Sequence, residues 1–316
     1  MMSAKVTVVC LCYNHEKFVR EALDSVVNQT YANIEIIVVD DFSRDGSREL
    51  LKEYIVAHPD IVCLFNSENS GNCTSFNRAL RQAKGEYIID FATDDVMHPE
   101  RIEKQVSFFD RNPSDYAAVF TNAIYINENG EELKNHYLGS DIVPSGDVYA
   151  NIIKRNSFIC TPTLMFRIAS LREVGGYDET LSYEDFDICL RLSRRYKFGY
   201  LDEVLTRRRI VQGSHGRTAL ISKNKSTYKI CQKAYWLNKS KEENTALAQF
   251  LRFNLRLCLF TNDYEMFKRY YCFLKEVAGL SWFDRLMNGL CSLKINLFPL
   301  YQKYVQLRFG YVISLH

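Results

Sequence analysis

Along the N-terminal two thirds of the chain, short apolar runs alternate with segments whose apolar positions recur at helical spacing. Val6-Thr7-Val8-Val9-Cys10-Leu11 is nearly continuous in its apolar character. After the turn Tyr13-Asn14-His15, the residues Phe18, Val19, Leu23, Val26 and Val27 mark one helical face. A second run, Ile34 to Val39, ends on Asp40-Asp41, and the turn Phe42 to Ser47 feeds a helix around Leu50, Leu51 and Tyr54. Ile61 to Phe65 is the third run, and after Ser70-Gly71-Asn72 a helix is expected from about residue 73 to 83. The fourth run, residues 86–91, is followed by Asp94-Asp95, with Pro99 at the first turn of the next helix. This rhythm predicts an α/β protein with a largely parallel, doubly wound sheet.

Beyond residue 116 the pattern is less regular. A strand is expected around Ala117 to Thr121. The polar, turn-rich stretch 122–150 reads as a hairpin and connection, residues 156–167 as a return strand, and 198–205 as a further strand. Gly175-Gly176-Tyr177 reads as a helix stop and turn, and Glu184-Asp185 opens a helix with the apolar face Phe186, Ile188, Cys189, Leu190 and Leu192. Residues 220–316 lose the alternation and read as several helices.

Composition adds a boundary to this picture. A chain of 316 residues, 47% hydrophobic and 25% charged, accommodates a catalytic domain, residues 1–219, and a smaller helical region, residues 220–316. The formal net charge of +2 conceals an asymmetry: residues 1–219 hold 25 Lys+Arg against 32 Asp+Glu, and residues 220–316 hold 15 against 6. Cations and aromatics mingle in the basic tail (Tyr228, Lys229, Trp236, Arg252, Phe253, Trp282). The tail therefore reads either as amphipathic helices lying on an anionic membrane surface or as helices packing on a domain or a second subunit. Nucleic-acid binding is not expected, because no recognition motif accompanies the basic residues and the front of the chain is acidic. The ten cysteines lie scattered, without paired spacing, and no cleavable leader is expected, so they read as small buried hydrophobes in a reducing cytoplasm. No apolar run is long enough for a conventional spanning helix.

The carboxylates carry the candidate chemistry. Asp94-Asp95 falls at the carboxyl end of a strand, where open α/β sheets bind ligands. Two adjacent acids there suit a hard divalent cation as well as they suit the plain role of an acidic helix start. Asp185 near a helix N-terminus is, from spacing alone, better explained by the helix dipole than by catalysis. There is no Gly-x-Gly-x-x-Gly after the first strand and no P-loop, which excludes the usual dinucleotide and phosphate-loop folds.

Several stretches together resemble family 2 glycosyltransferases of the GT-A fold: Val6 to Asn14, Ser25 to Tyr31, Ile36 to Ser47, Gly85 to Pro99, Gly175 to Glu179 and Glu184-Asp185. The similarity covers roughly residues 4–210. It implies a single mixed, mostly parallel sheet flanked by helices, with the tail as a helical C-terminal extension. It also implies donor-binding roles for Leu11, Tyr13, Asp40, Asp41, Arg78 and Asp94, with Asp41 on the uracil and Asp40 its neighbour. Arg78 reads as a base or phosphate contact or as a plain exposed helical arginine. The family's metal motif, usually Asp-x-Asp, corresponds to Ala92-Thr93-Asp94-Asp95, so that Mn2+ or Mg2+ would rest on Asp94 and chiefly Asp95. His215 is either a further ligand or an ordinary loop histidine. Asp185 is implied as the general base, with inversion at the anomeric carbon.

The expected function is therefore metal-dependent, inverting transfer of a sugar from a nucleoside diphosphate, UDP first among them. The acceptor would be a hydroxyl of a glycan or lipid-linked glycan in surface polysaccharide synthesis, in the cytoplasm or peripherally on the inner face of the cell membrane. Alternatives from other classes are a silent scaffold on the same fold and a nucleotidyltransferase. The first is opposed by the retained acids. The second is opposed by Tyr13-Asn14-His15-Glu16, which stands where a glycine-rich basic loop would be needed.

Overall fold

The computed structural model of the chain describes residues 3–112, 114–154, 159–182, 184–211 and 217–309. The chain divides into two compact units, Met1–Val148 with Ser157–Val211, and Tyr149–Asn156 with Gln212–His316.

The first unit opens with β1 (Val6–Cys12), α1 (Val19–Val27), β2 (Ile34–Asp40), α2 (Ser47–Ala57), β3 (Val62–Phe65), α3 (Asn72–Leu80) and β4 (Tyr87–Ala92). All seven residues of β1 are buried, as expected of a central strand in a sheet covered on both faces. It pairs in parallel with β2 on one side and β4 on the other, and β2 pairs in parallel with β3. The register sets Cys12 beside Asp40 and Leu11 beside Ala92, so the acidic ends of β2 and β4 flank the end of β1. Val6, Val8, Cys10 and Cys12 face a core that includes Val19, Leu23 and Val26 of α1 and Leu51 and Tyr54 of α2.

A short strand, β5 (Val96–Met97), follows the acids, and α4 (Arg101–Arg111) starts at Arg101, just beyond the expected position of Pro99. Then come β6 (Tyr116–Ile126) and β7 (Glu132–Asn135), which form the expected hairpin. Helix α5 (Tyr149–Ile153) belongs to the second unit. The stretch read as a return strand contributes β8 (Met165–Arg167), preceded by a 3-10 turn at Thr161–Thr163. After α6 (Ile168–Glu173) and α7 (Asp185–Ser193), β9 (Lys197–Arg209) runs 13 residues. The order across the sheet is β3-β2-β1-β4-β8-β6-β9-β5, with β7 beside β6. β8 is antiparallel to both β4 and β6, β9 is parallel to β6, and β5 is antiparallel to β9, so the sheet is mixed.

Beneath the acidic end of β4 lies a buried cation, Arg101. It donates to Gln105 Oε1 at 3.2 Å, Thr206 Oγ1 at 3.0 Å and the Leu164 carbonyl at 3.4 Å. Burial lowers its pKa to about 10, against the opposing pull of Asp95.

The second unit comprises α5, α8 (Arg217–Leu237), α9 (Lys241–Phe260), α10 (Tyr264–Ala278), α11 (Trp282–Ser292) and α12 (Phe298–Phe309). Capping boxes start two of these helices. Ser240 and Glu243 satisfy each other's backbone N–H at α9, and Ser281 and Asp284 do so at α11. Leu247, Leu251, Leu255, Phe267, Tyr270 and Leu274 are buried, while Trp236 and Trp282 stay 83% and 76% exposed. No helix among the described residues is long and apolar enough to cross a membrane. The ten cysteines are unbridged thiols, and eight are buried.

Candidate active site

The chain leaves β1 and β2 through two loops that are hydrogen-bonded to each other. Asn14 N–H donates to Ser43 Oγ at 3.0 Å, His15 N–H to Ser47 Oγ at 2.9 Å and Glu16 N–H to Asp45 Oδ2 at 3.0 Å. In return Arg44 N–H donates to Asn14 Oδ1 at 2.8 Å. Two residues take the left-handed conformation to make these turns, Asn14 at φ 58° and Phe42 at φ 63°. For a bulky phenylalanine that conformation is strained and persists only where neighbours enforce it, as they often do at functional sites.

Asp40 and Asp41, at the end of β2, are both buried and both accept hydrogen bonds from the protein. Arg48 Nε donates to Asp40 Oδ2 at 3.1 Å, and the Arg48 guanidinium also reaches the Asn66 carbonyl at 2.7 Å. Asp41 Oδ1 accepts from Asn66 Nδ2 at 2.7 Å and Ser70 N–H at 2.9 Å, and Oδ2 accepts from Gly71 N–H at 2.9 Å. A carboxylate offers about four acceptor positions, so Oδ2 retains one. Arg78 on α3 is half-buried and donates to Asn66 Oδ1 at 2.5 Å and the Phe65 carbonyl at 3.1 Å, which ties it to the same network. Leu11 is buried in β1, and Tyr13, 40% exposed, sits in the loop beyond it.

The second acidic pair, past the end of β4, has fewer donors. Asp95 is buried and accepts Arg209 N–H at Oδ1, 2.8 Å. Burial, then the charge of Asp94, push its pKa up to about 7, against the Arg209 N–H and the positive charges of Arg208 and Arg101. Among the described residues no lysine or arginine side chain forms an ion pair with either acid. The His15 ring lies 4.0 Å from Asp94 Oδ2 through Nε2, and its Nδ1 is 2.8 Å from Thr93 Oγ1. Burial lowers the pKa of His15, opposed by Asp94.

Arg207, Arg208 and Arg209, beyond the strand expected over residues 198–205, are the last residues of strand β9. Arg209 is buried and committed. It donates to the Asp94 carbonyl at 2.9 Å, to the Asn127 and Glu128 carbonyls at 3.1 Å each and to Glu21 Oε2 at 2.6 Å, with its guanidinium 4.5 Å from the centre of the Phe18 ring. Arg207 donates to the Gly130 carbonyl at 2.7 Å. Arg208 lies 5.6 Å from the Tyr125 ring centre; burial opposes its charge, and Tyr125, Asp95 and Asp185 favour it. His215 lies outside the described residues.

A third group of acids gathers where α7 begins. Asp185 is its exposed first residue, and Glu184 accepts from Asn72 Nδ2 of α3 at 3.2 Å. Burial, with the charges of Asp185 and Asp90, raises the pKa of Glu184 well above its ordinary value. Asp90, on β4, is pushed up to about 7 by burial and by Asp185, although the Tyr177 hydroxyl donates to its Oδ2 at 2.9 Å. Burial and mutual repulsion thus favour the neutral forms of Glu184 and Asp90. The turn behind them is fixed by sequence. Gly175 and Gly176 take φ 85° and 71°, and a Cβ on Gly176 would come 2.7 Å from Asn77 Oδ1, which accepts Tyr177 N–H at 2.9 Å.

The first unit therefore brings Asp40, Asp41, Leu11, Tyr13, Arg78, Asp94 and Asp95 to the ends of β1, β2 and β4, and Asp185 shares the electrostatic surroundings of Arg208 with Asp95. Residues that sequence reasoning passed over are Arg48, Asn66, Asp90 and His15. Asp90 was visible as a lone acid inside an apolar run and His15 as a polar residue in the first turn; nothing in the sequence distinguished Asn66.

No three His, Cys, Asp or Glu side chains among the described residues are already gathered closely enough to hold a metal. A divalent ion bound through one or two carboxylates and substrate phosphates needs no such cage. Two adjacent acids with no lysine or arginine partner among the described residues fit that mode, and the partly exposed Asp94 gives it access.

Comparison with known proteins agrees with this geometry. A relative from Bacillus subtilis (strain 168), the putative glycosyltransferase EpsE, is 34% identical over 206 residues, which cover 64% of this chain and 71% of the relative. The solved structure of S. aureus TarS 1-349 in complex with UDP-GlcNAc superposes with a TM-score of 0.70 at 19% identity, covering 97% of this chain and 92% of that one. The mannosyltransferase PcManGT from Pyrobaculum calidifontis, in complex with GDP-Man and Mn2+, gives 0.62 at 17% identity, covering 97% and 84%. The first unit has the GT-A fold of these glycosyltransferase structures, followed by C-terminal helices. The family model described as glycosyl transferase family 2 matches residues 7–175, more than half of the chain. By its family model and its relatives, this chain belongs to glycosyl transferase family 2.

Proposed function

We propose that this glycosyltransferase moves a sugar, with inversion, from a UDP-linked donor to a hydroxyl of a glycan or lipid-linked glycan acceptor in surface polysaccharide synthesis. The observation that carries the reading is the sorting of charge among the acids. Asp41 is fixed by three donors, Asp94 and Asp95 have no lysine or arginine partner among the described residues, and Asp185 stands beside Glu184 and Asp90, whose pKa values burial raises. Asp41 Oδ2 accepts the uracil imide N–H, Leu11 and Tyr13 line the base, Asp40 holds Arg48, and Arg78 steadies Asn66 beneath the base or reaches a phosphate. Asp95, with Asp94, holds the metal, Mn2+ or Mg2+, and His215 is a candidate further ligand. When bound, the metal supplies positive charge to the departing diphosphate. Asp185 takes the proton of the acceptor hydroxyl as its oxygen forms a bond to the anomeric carbon on the face opposite the leaving nucleoside diphosphate.

Residues 1–219 do this chemistry, and the basic residues 220–316 meet an anionic membrane face peripherally or a second copy of the chain, with exposed Trp236 and Trp282 as contacts. Asp185→Asn is expected to lower transfer at least about 100-fold while UDP binding, followed by calorimetry, stays within a factor of two or so of wild type. Transfer near the wild-type rate would remove Asp185 from the base role.

A further inference from the structure

The geometry points to His15 as a metal ligand in this chain, through Nε2, standing in for the acid that Ala92 lacks. The inference rests on reading Asp94 and Asp95 as metal acids. Thr93 Oγ1 donates its one hydrogen to the Leu11 carbonyl at 3.1 Å, so it meets His15 Nδ1 at 2.8 Å as an acceptor. The proton of the neutral imidazole is then on Nδ1, and the Nε2 lone pair faces Asp94 Oδ2 at 4.0 Å. Two acceptors that face each other repel unless a cation or a donating water lies between them, and a cation is the occupant that the adjacent acids favour. Metal-binding histidines commonly have this second bond, their other N–H held by an oxygen that fixes tautomer and ring orientation. Here Thr93 plays that part, and it is buried and immediately precedes the acids.

The ring is also held from its own backbone. His15 N–H donates to Ser47 Oγ at 2.9 Å, and the preceding Asn14 takes φ 58°, so the loops after β1 and β2 deliver the imidazole to the end of β4. Ala92 is the last residue of β4, paired in register with Leu11 of β1, and its methyl group offers no ligand. A nitrogen in place of an oxygen ligand shifts preference from Mg2+ toward Mn2+ and later first-row ions.

The test is Mn2+ binding to the full chain in the presence of UDP, followed by electron paramagnetic resonance, with electron spin-echo modulation to detect a directly bound imidazole nitrogen. Wild type is expected to bind Mn2+ with a nitrogen modulation. His15→Asn keeps an amide N–H where Nδ1–H donates to Thr93 but lacks Nε2. It is expected to lose the modulation, weaken Mn2+ binding about tenfold or more, and unfold at the wild-type temperature when metal-free. Thr93→Val, which removes the orienting oxygen, is expected to give a smaller loss. Mn2+ binding that needs Asp95 but shows no nitrogen modulation overturns the role of His15 and leaves the acids in place. Mn2+ binding indifferent to Asp94→Asn and Asp95→Asn, or none in wild type, overturns both. A fall in thermal stability of His15→Asn with unchanged Mn2+ affinity assigns the imidazole to loop structure alone, which also overturns the proposal.

Discussion

The acidic pairs at the ends of β2 and β4 look alike in sequence, Asp40-Asp41 and Asp94-Asp95, yet the fold treats them oppositely. The first is a finished structure: Asp40 has Arg48, and Asp41 has three N–H donors from Asn66, Ser70 and Gly71. Among the described residues, the second has one backbone N–H on Asp95, and its neighbour Asp94 faces only an imidazole. Charge that is satisfied within the protein shapes a rigid surface for a ligand to read. Charge left unsatisfied is a binding site for an ion of opposite sign.

Removing the partner of the finished pair should have the largest effect. Arg48→Ala leaves the buried Asp40 carboxylate with the Ser43 N–H at 3.3 Å but without its cation, and is expected to cost about 3 kcal/mol in urea unfolding; a loss under about 1 kcal/mol would make the pair ordinary surface charge and weaken the contrast. Next comes Asp90, the protonated neighbour on β4. A carboxyl whose folded pKa is raised to about 7 binds its proton more tightly in the folded state, so it lowers stability as pH rises from about 4 through 7, after which the loss is complete. Asp90→Asn should remove that slope and raise stability at pH 8 by on the order of 2 kcal/mol, read from melting temperatures across pH.

Asp95→Asn should go the other way from Arg48→Ala. The amide keeps an oxygen for Arg209 N–H and sheds the buried charge, so the metal-free chain should gain about 1 kcal/mol at pH 8 while losing Mn2+ binding in calorimetry. Destabilisation there would erase the distinction between the two pairs. The smallest effect is expected for Asp94→Ala, within about 0.5 kcal/mol of wild type in the metal-free chain, because among the described residues its carboxylate accepts no hydrogen bond and meets only the His15 ring at 4.0 Å.

Much of this was legible in the sequence, for a physical reason. Strands buried on both faces read as continuous apolar runs, so β1, β2 and β4 were visible, and with them the acids that follow. β9 was recognised only in part, because Arg207 to Arg209 break its apolar pattern. Pairing with β6 along the register from Tyr116 to Ile126 overrides local preference, and the three arginines become strand residues. The bonds that distinguish the acidic pairs were not legible either. Asn66 reaches Asp41 across 25 positions and His15 reaches Thr93 across 78, contacts that no local pattern encodes.

Arg209 has a consequence for how the first unit opens. One side chain joins the backbone at Asp94, the hairpin tip at Asn127 and Glu128, and Glu21 of α1. Segments tied through a single buried group separate together, so the amides of Gly130, Arg209 and Ile210, bonded at the hairpin and strand ends, should exchange with solvent at one shared opening free energy. Fraying at the hairpin tip and loosening of the acidic turn are then one cooperative event, and any ligand that orders the turn slows exchange at a tip it does not touch.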